Sequence, residues 1–150
     1  MIAPCGMNCS LCIGHLREKK KCTGCLGHDR DKPEYCRSCK VVVCEKRKTL
    51  PSQMCYECPK FPLPTSIGYR TASGSKACAR IKQLDKRYRE KYGMSMIENL
   101  LYIKENGMDA FLAHEEKRWA CPDCGTTLSV HRAECLKCGK ERIIESYKLN

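Results

Sequence analysis

Six pairs of cysteines, each with two residues between its members, are spread along a chain of 150 residues. Two intervening residues let one tight turn aim both sulfurs at a single ion, and two such pairs complete the four-thiolate shell that zinc prefers. Six pairs therefore predict three closed metal sites, with metal taking over much of the role of an apolar core. The pairs are Cys9 and Cys12, Cys22 and Cys25, Cys36 and Cys39, Cys55 and Cys58, Cys121 and Cys124, and Cys135 and Cys138.

The spacing leaves the partnership of the four N-terminal pairs open. Fifteen residues separate Cys39 from Cys55, a spacing typical of structural zinc sites, whereas nine separate Cys12 from Cys22. A cross-braced arrangement, in which the Cys9 pair shares a metal with the Cys36 pair, gives the same number of sites.

The two C-terminal pairs form the clearest motif. Cys121-Pro-Asp-Cys124-Gly and Cys135-Leu-Lys-Cys138-Gly enclose ten residues. The glycine after each second cysteine allows a positive φ, and the Thr and Val residues between the pairs favour a short β-hairpin. This pattern predicts a zinc ribbon. The same shell holds iron in rubredoxin-type knuckles, so iron is the alternative metal.

Three cysteines, Cys5, Cys44 and Cys78, belong to no pair. Three thiolates with a fourth position that is open or filled by histidine are typical of a reactive zinc or an iron–sulfur cluster. His15 is the nearest candidate for that position. If the three thiols share a metal, their sulfurs should lie within about 4 Å of one another. The alternative for Cys78 is simple packing on the apolar stripe of a helix.

Helical patterns follow the cysteine-rich region. Apolar residues recur at three and four positions from residue 78 to residue 92, which predicts an amphipathic helix starting near Ser75. Ser95-Met-Ile-Glu98 is a capping box for a second helix ending at Gly107, and Asp109 is predicted to cap a third. Residues 41–50 predict one short helix or strand, of which we favour the helix, and residues 61–75 predict a connecting loop.

These elements predict a small, metal-stabilised, α-rich protein in three parts. Residues 1–74 form a cysteine-rich metal-binding module and loop, and residues 75–118 form a helical segment packed on it. Residues 119–150 form the β-hairpin zinc ribbon and a basic tail. We expect the ribbon to be a terminal appendage that folds independently around its metal.

The chain carries 28 Lys and Arg against 17 Asp and Glu, a formal net charge of +11. Each four-thiolate zinc site carries a net charge of about −2, so three sites reduce the excess to about +5. The remaining basic residues include a stripe with helical spacing, which indicates either a solvated face or a phosphate-binding surface. The stripe consists of Lys76, Arg80, Arg87 and Lys91.

No apolar run approaches the roughly 18 residues of a membrane-spanning helix, and no leader is recognisable. We therefore expect a cytoplasmic protein whose reduced cysteines bind metal. No acid–base constellation is present, and closed four-thiolate sites offer substrate no coordination position. The sequence predicts a zinc-binding interaction or regulatory module whose partner is a protein or a nucleic acid, not a membrane. The alternative is a redox or iron–sulfur protein that uses Cys5, Cys44 and Cys78.

The order of these motifs resembles a known family. Cys5-Gly-Met-Asn-Cys9-Ser-Leu-Cys12, Lys21-Cys-Thr-Gly-Cys25 and the later pairs are similar to the bacterial and archaeal cysteine-rich domain-of-unknown-function family 3795. The segment 84–95 and the ribbon after Trp119 also resemble members of that family. The resemblance implies metal binding and a small cytosolic protein, and it implies no reaction.

We expect at least three metal ions per chain, because six knuckle pairs make three closed sites. Elemental analysis of freshly purified protein kept under reductant measures this ratio. A content of one ion or none per chain would contradict the prediction.

Overall fold

The regular structure consists of α-helices and one two-stranded hairpin in residues 1–143, the part of the chain that this computed structural model describes. The cysteine-rich module contains three single-turn helices: α1 (Ile13–Leu16), α2 (Glu34–Arg37) and α3 (Glu45–Lys48). Longer helices follow: α4 (Ala79–Tyr92), α5 (Met96–Asn106) and α6 (Met108–Arg118). The prediction of a small α-rich protein is thus confirmed. The end of the predicted basic tail, residues 144–150, lies outside the described residues.

The first 60 residues are built from tight turns rather than long elements. Two of the cysteine pairs open on 3₁₀ turns, Cys9–Leu11 and Cys55–Glu57. In both turns the backbone N–H of the second cysteine donates to the carbonyl oxygen of the first at 3.1 Å. The predicted helix in residues 41–50 is present as the single turn α3, with Cys44 as its N-cap.

Helix α4 begins later than the sequence predicts. Its N-cap is Cys78, whose backbone N–H donates to the Lys60 carbonyl oxygen at 2.8 Å. Residues 75–77 are therefore held by the preceding loop and stay outside the helix. The helix ends at Gly93, where a φ of 63° turns the chain into α5.

The prediction that Ser95 caps α5 is confirmed, whereas the prediction that Asp109 caps α6 is wrong. The Ser95 hydroxyl accepts a hydrogen bond from the Glu98 backbone N–H at 3.1 Å. Asp109 does not cap α6, because the helix already begins at Met108. Gly107, with a φ of 87°, reverses the chain directly between α5 and α6, so no separate linker or cap is needed.

A buried carboxylate connects α4 to the start of α5. Asp85 is fully buried and accepts hydrogen bonds from the Ser95 hydroxyl at 2.7 Å and the Ile97 backbone N–H at 3.0 Å. Its second oxygen accepts from Arg89 Nε at 2.7 Å. The first backbone N–H groups of a helix lack partners within the helix. The Asp85 carboxylate accepts a hydrogen bond from one of these N–H groups of α5 at the point where the two helices meet.

The hairpin lies where the sequence predicts a connecting loop. Strand β1 (Leu63–Thr65) pairs in antiparallel fashion with β2 (Gly68–Arg70). Pro64 suggests a loop because it cannot donate a backbone hydrogen bond, but in a two-stranded sheet every strand is an edge and tolerates proline. The ribbon, where the sequence predicts a hairpin, contains instead the single bridges Ala120↔Thr127 and Glu134↔Glu141.

The ribbon is built into the body of the protein. The Val130 backbone N–H donates to the Leu11 carbonyl oxygen at 3.0 Å, and Val130 is completely buried. His131 Nε2 lies 3.0 Å from the Tyr88 hydroxyl oxygen on α4. The prediction that the ribbon is a terminal appendage is therefore wrong, because the ribbon shares its apolar surface with the N-terminal module. The proposed boundaries at residues 74 and 118 stay predictions.

None of the helices in residues 1–143 has the length and apolar character needed to cross a membrane.

We expect Asp85→Ala to lower the free energy of unfolding by roughly 3 kcal/mol, because it removes two buried hydrogen bonds and the ion pair with Arg89. Denaturant unfolding measures the loss. Asp109→Ala, at an exposed acid in the first turn of α6, should cost less than about 1 kcal/mol. Equal losses in the two variants would contradict this role for Asp85.

Candidate metal centre

The first turn of the ribbon is closed by two backbone hydrogen bonds. The Cys121 N–H donates to the Thr126 carbonyl oxygen at 2.9 Å, and the Gly125 N–H donates to the Cys121 carbonyl oxygen at 2.8 Å. Gly125 has a φ of 69°, as the sequence predicts for the residue after the second cysteine. A Cβ atom added to Gly125 would meet no other atom within 4 Å, so a side chain would fit. Glycine is favoured here because of the positive φ, not because of crowding.

The second turn repeats the first in geometry. The Cys135 N–H donates to the Lys140 carbonyl oxygen at 2.8 Å, and the Gly139 N–H donates to the Cys135 carbonyl oxygen at 3.0 Å. Gly139 has a φ of 73°. The two single bridges of the ribbon occupy equivalent positions around these turns. Each turn therefore presents its two thiols in the same way, and the two turns face each other.

The four thiols lie at the separation that a tetrahedral metal site requires. The Sγ atoms of Cys121 and Cys138 are 3.6 Å apart, and those of Cys124 and Cys135 are 3.7 Å apart. All four sulfurs lie within 4.8 Å of one another. Zinc–sulfur bonds of about 2.3 Å in a tetrahedron place neighbouring sulfurs about 3.8 Å apart, whereas a disulfide needs about 2.0 Å. These four residues can hold a metal ion.

Backbone and side-chain donors favour the ionised form of two of these thiols. The pKa of Cys124 is lowered to about 6 by a hydrogen bond from the Thr126 side chain and another from the Thr126 backbone. The pKa of Cys135 is lowered by the backbone N–H groups of Cys138 and Lys137. Donors directed at sulfur stabilise thiolate, which is the metal-binding form.

The Cys138 thiol behaves in the opposite way. The Lys140 backbone N–H lowers its pKa, but the hydrogen bond to Cys124 and burial outweigh that effect and raise the pKa to about 12. Cys138 therefore retains its proton more strongly than Cys124 or Cys135, and metal binding must displace that proton.

The only tryptophan lies between the ribbon and α6. Trp119 is 2% exposed, and its indole N–H donates to the buried carboxylate of Glu115 at 3.3 Å. The guanidinium of Arg142 stacks on the indole ring at 4.6 Å from its centre. The Leu128 N–H donates to the Trp119 carbonyl oxygen at 2.7 Å, which fixes the ribbon to the end of α6. A disturbance of the ribbon therefore reaches this indole directly.

The structure gathers the N-terminal cysteines less tightly. Within residues 1–143, the four ribbon cysteines are the only group of three or more Cys, His, Asp or Glu side chains whose ligand atoms all lie within 4.8 Å of one another. The remaining eleven cysteines stay predicted ligands. They are Cys5, Cys9, Cys12, Cys22, Cys25, Cys36, Cys39, Cys44, Cys55, Cys58 and Cys78.

The Cys9 pair nevertheless faces the Cys22 pair. A hydrogen bond with the Cys25 thiol lowers the pKa of Cys9 to about 6. A Cβ placed on Gly14 would lie 3.5 Å from Cys22 Cβ and 3.7 Å from Cys12 Sγ, so these two side chains flank the same glycine. The pKa of Cys36 is raised to about 11 by burial and next by Cys12, so a thiol of the third pair lies nearby. The cross-braced alternative thus stays open.

A buried lysine, which sequence patterns do not single out, supports this region. The Lys32 side chain is 4% exposed, and its Nζ donates to the carbonyl oxygen of Cys25 at 3.1 Å and to Asp29 at 2.9 Å. A buried cation of this kind offsets the negative charge of nearby thiolates. Only the folded chain brings Lys32 to the Cys22 knuckle, since no local motif requires it.

The structure does not bring Cys5, Cys44 and Cys78 together as a preformed group. Their sulfurs do not all lie within 4.8 Å of one another in the described residues, so a site shared by these three thiols stays a prediction. Cys78 is the N-cap of α4 and packs, partly buried, against the core cluster, which agrees with the alternative of a packing role. His15 Nδ1 lies 2.9 Å from the Cys22 carbonyl oxygen, near the Cys9 and Cys22 pairs.

Comparisons with protein-family models, with curated proteins and with solved structures found no match.

We expect Cys138→Ser to weaken metal binding by the ribbon at least about tenfold, because one of four thiolates is lost. Trp119 emission should then shift to the red at metal concentrations that leave the wild type unchanged, and a chelator should shift the wild type similarly. Lys137→Ala changes an exposed side chain in the same turn and should behave like the wild type. An unshifted Trp119 spectrum in Cys138→Ser would contradict the prediction.

Proposed function

We propose that this protein is a zinc-binding interaction or regulatory module, in which the ribbon cysteines hold a structural Zn²⁺. The single observation that supports this proposal is the pair of matching turns that bring four thiols to tetrahedral separation. A site with four thiolates is saturated, so its metal stabilises structure and offers no position for substrate. The resemblance to family 3795 is compatible with this proposal and stays a prediction.

A structural role for the metal follows from what the ribbon contacts. Val130 and Leu128 are buried, and Ser129 donates to the Leu11 carbonyl oxygen at 3.3 Å. The ribbon thereby closes one side of the N-terminal module. Metal held at the ribbon would stabilise that contact in addition to its own turns.

The interaction role rests on a basic cleft beside α4. A cavity of about 380 Å³ lies between this helix and the turn at Lys40 and Val41. Arg80 and Arg87 line it from the same face of α4, and Arg80 donates to the Lys40 carbonyl oxygen at 2.9 Å. No acidic residue of the described chain lines the cleft. Arg87 therefore offers its donors to an anionic partner, such as a nucleic-acid phosphate or an acidic protein segment.

Iron is the alternative metal and would change the proposed function. A colourless, zinc-containing protein after anaerobic purification supports the structural role. A brown protein with iron–sulfur absorbance would support the redox alternative that uses Cys5, Cys44 and Cys78.

We expect zinc-loaded protein to bind single-stranded RNA or duplex DNA with an affinity that falls as salt increases, because cationic side chains displace counterions from phosphate. Arg87→Glu should weaken binding at least about tenfold as measured by fluorescence anisotropy, since one desolvated charge contact is worth about 1–3 kcal/mol. Lys117→Glu makes the same charge change on α6 and should have a smaller effect.

Equal effects of the two substitutions would show that net charge alone drives binding and would overturn the cleft as the interface. Absence of binding to both nucleic acids at low salt would exclude them as partners and leave an acidic protein segment to be tested.

A further inference from the structure

Backbone hydrogen bonds bring two unpaired cysteines to the Cys55 knuckle. The Cys55 N–H donates to the Pro4 carbonyl oxygen at 3.0 Å, which places the residue before Cys5 against the start of this turn. The Cys78 N–H donates to the Lys60 carbonyl oxygen at 2.8 Å, two residues after the turn ends at Cys58. Three distant segments of the chain thus meet at this turn, and each carries a cysteine at or next to its contact.

The knuckle itself has the geometry of a ligand turn. Cys55 occupies a 3₁₀ turn, and Cys58 follows it with φ −69° and ψ 131°. The equivalent turn at Cys9 leaves Cys12 with φ −76° and ψ 134°, so the two turns present their cysteines alike. Cys5 and Cys55 are 7% and 8% exposed and belong to the main core cluster.

A buried cation without an acidic partner lies in the same region. Arg47 is 5% exposed, donates to Gln53 Oε1 at 2.9 Å and to the Val42 carbonyl oxygen at 2.9 Å, and forms no ion pair within the described residues. Its Nε has no hydrogen-bond partner in residues 1–143. Gln53 lies two residues before Cys55. A buried guanidinium is costly unless negative charge lies close, and a metal with four thiolates supplies it.

We propose that Cys5, Cys55, Cys58 and Cys78 form a second tetrathiolate metal site that binds Zn²⁺ or another soft divalent ion. The four thiols reach one region through direct backbone bonds at both ends of the knuckle. No backbone hydrogen bond joins Cys44 to this knuckle in the described residues, so we assign Cys44 as a fifth thiol outside the ligand set. This site replaces the partnership of the Cys55 pair with the Cys36 pair that the fifteen-residue spacing indicates.

The site closes around the metal instead of being preassembled. Its sulfurs do not all lie within 4.8 Å of one another in the described chain, unlike those of the ribbon. Each thiol must lose its proton when it coordinates the ion, and the binding free energy draws the segments together.

Thiol protection in the wild-type protein tests the site without any substitution. Full-length protein is depleted of metal, titrated with Zn²⁺, pulsed with iodoacetamide and mapped by peptide mass spectrometry. Cys5, Cys55, Cys58 and Cys78 should become protected together at the same zinc equivalent. If Cys55 and Cys78 react equally fast with and without zinc, the site does not exist.

Substitution then assigns the ligands. Cys78→Ser should lower the zinc content by about one ion per chain, and Cys44→Ser, the matched control in the same cluster, should leave it unchanged. If Cys44→Ser removes the ion and Cys78→Ser does not, the proposed ligand set is wrong. Loss of this same ion in Cys36→Ser would also overturn it, in favour of the partnership that spacing indicates.

A double variant with Cys138→Ser separates this site from the ribbon. Removal of both ions in an additive manner, about one per substitution, supports two independent sites. If Cys78→Ser and Cys138→Ser each remove the same ion, the proposal of a second site is wrong, whereas the proposal that the ribbon binds metal is retained. If Cys138→Ser removes no ion and Cys78→Ser removes one, the ribbon proposal fails and the second site stands.

Discussion

Tight turns that direct thiols inward are the constraint on which the rest of this structure depends. The first 60 residues contain three helices of one turn each and no strand, so long elements cannot organise them. Their core instead includes small apolar residues and the thiols of Cys5, Cys9 and Cys55. A protonated thiol packs like a small hydrophobe, and the same thiol ionises when it meets a metal. If these thiols bind metal as the sequence predicts, the side chains that stabilise the core are also the ligands.

The longer helices provide a frame that does not depend on cysteine. Asp85 joins α4 to the start of α5, and Gly107 folds α6 back onto α5 without a linker. Met94, Met96 and Leu100 are completely buried between these elements. A cysteine-rich module packed on such a frame can lose metal locally while its helices persist, because the helices are stabilised by apolar burial and capping.

The ribbon is the part through which metal can influence the whole molecule. Its residues bond to Leu11 in the N-terminal module, to Tyr88 on α4 and to Trp119 at the end of α6. A change at the four C-terminal thiols can thus reach the N-terminal module, α4 and the end of α6 through direct contacts. The basic cleft lies on α4, the helix that His131 of the ribbon contacts, so a change in the ribbon has a direct route to the helix that lines the cleft.

The sequence by itself determined the features that depend on a few neighbouring residues. Two-residue spacing, a following glycine and a matching second pair identify the four ribbon cysteines, because the knuckle is a local backbone geometry. Ser95 and Glu98 likewise identify the start of α5. Only the tertiary structure decided how distant segments meet: Pro4 against Cys55, Lys60 against Cys78, and Leu11 against Val130. Each of these contacts is made by backbone groups that every residue carries, so no side-chain pattern in the sequence could reveal it.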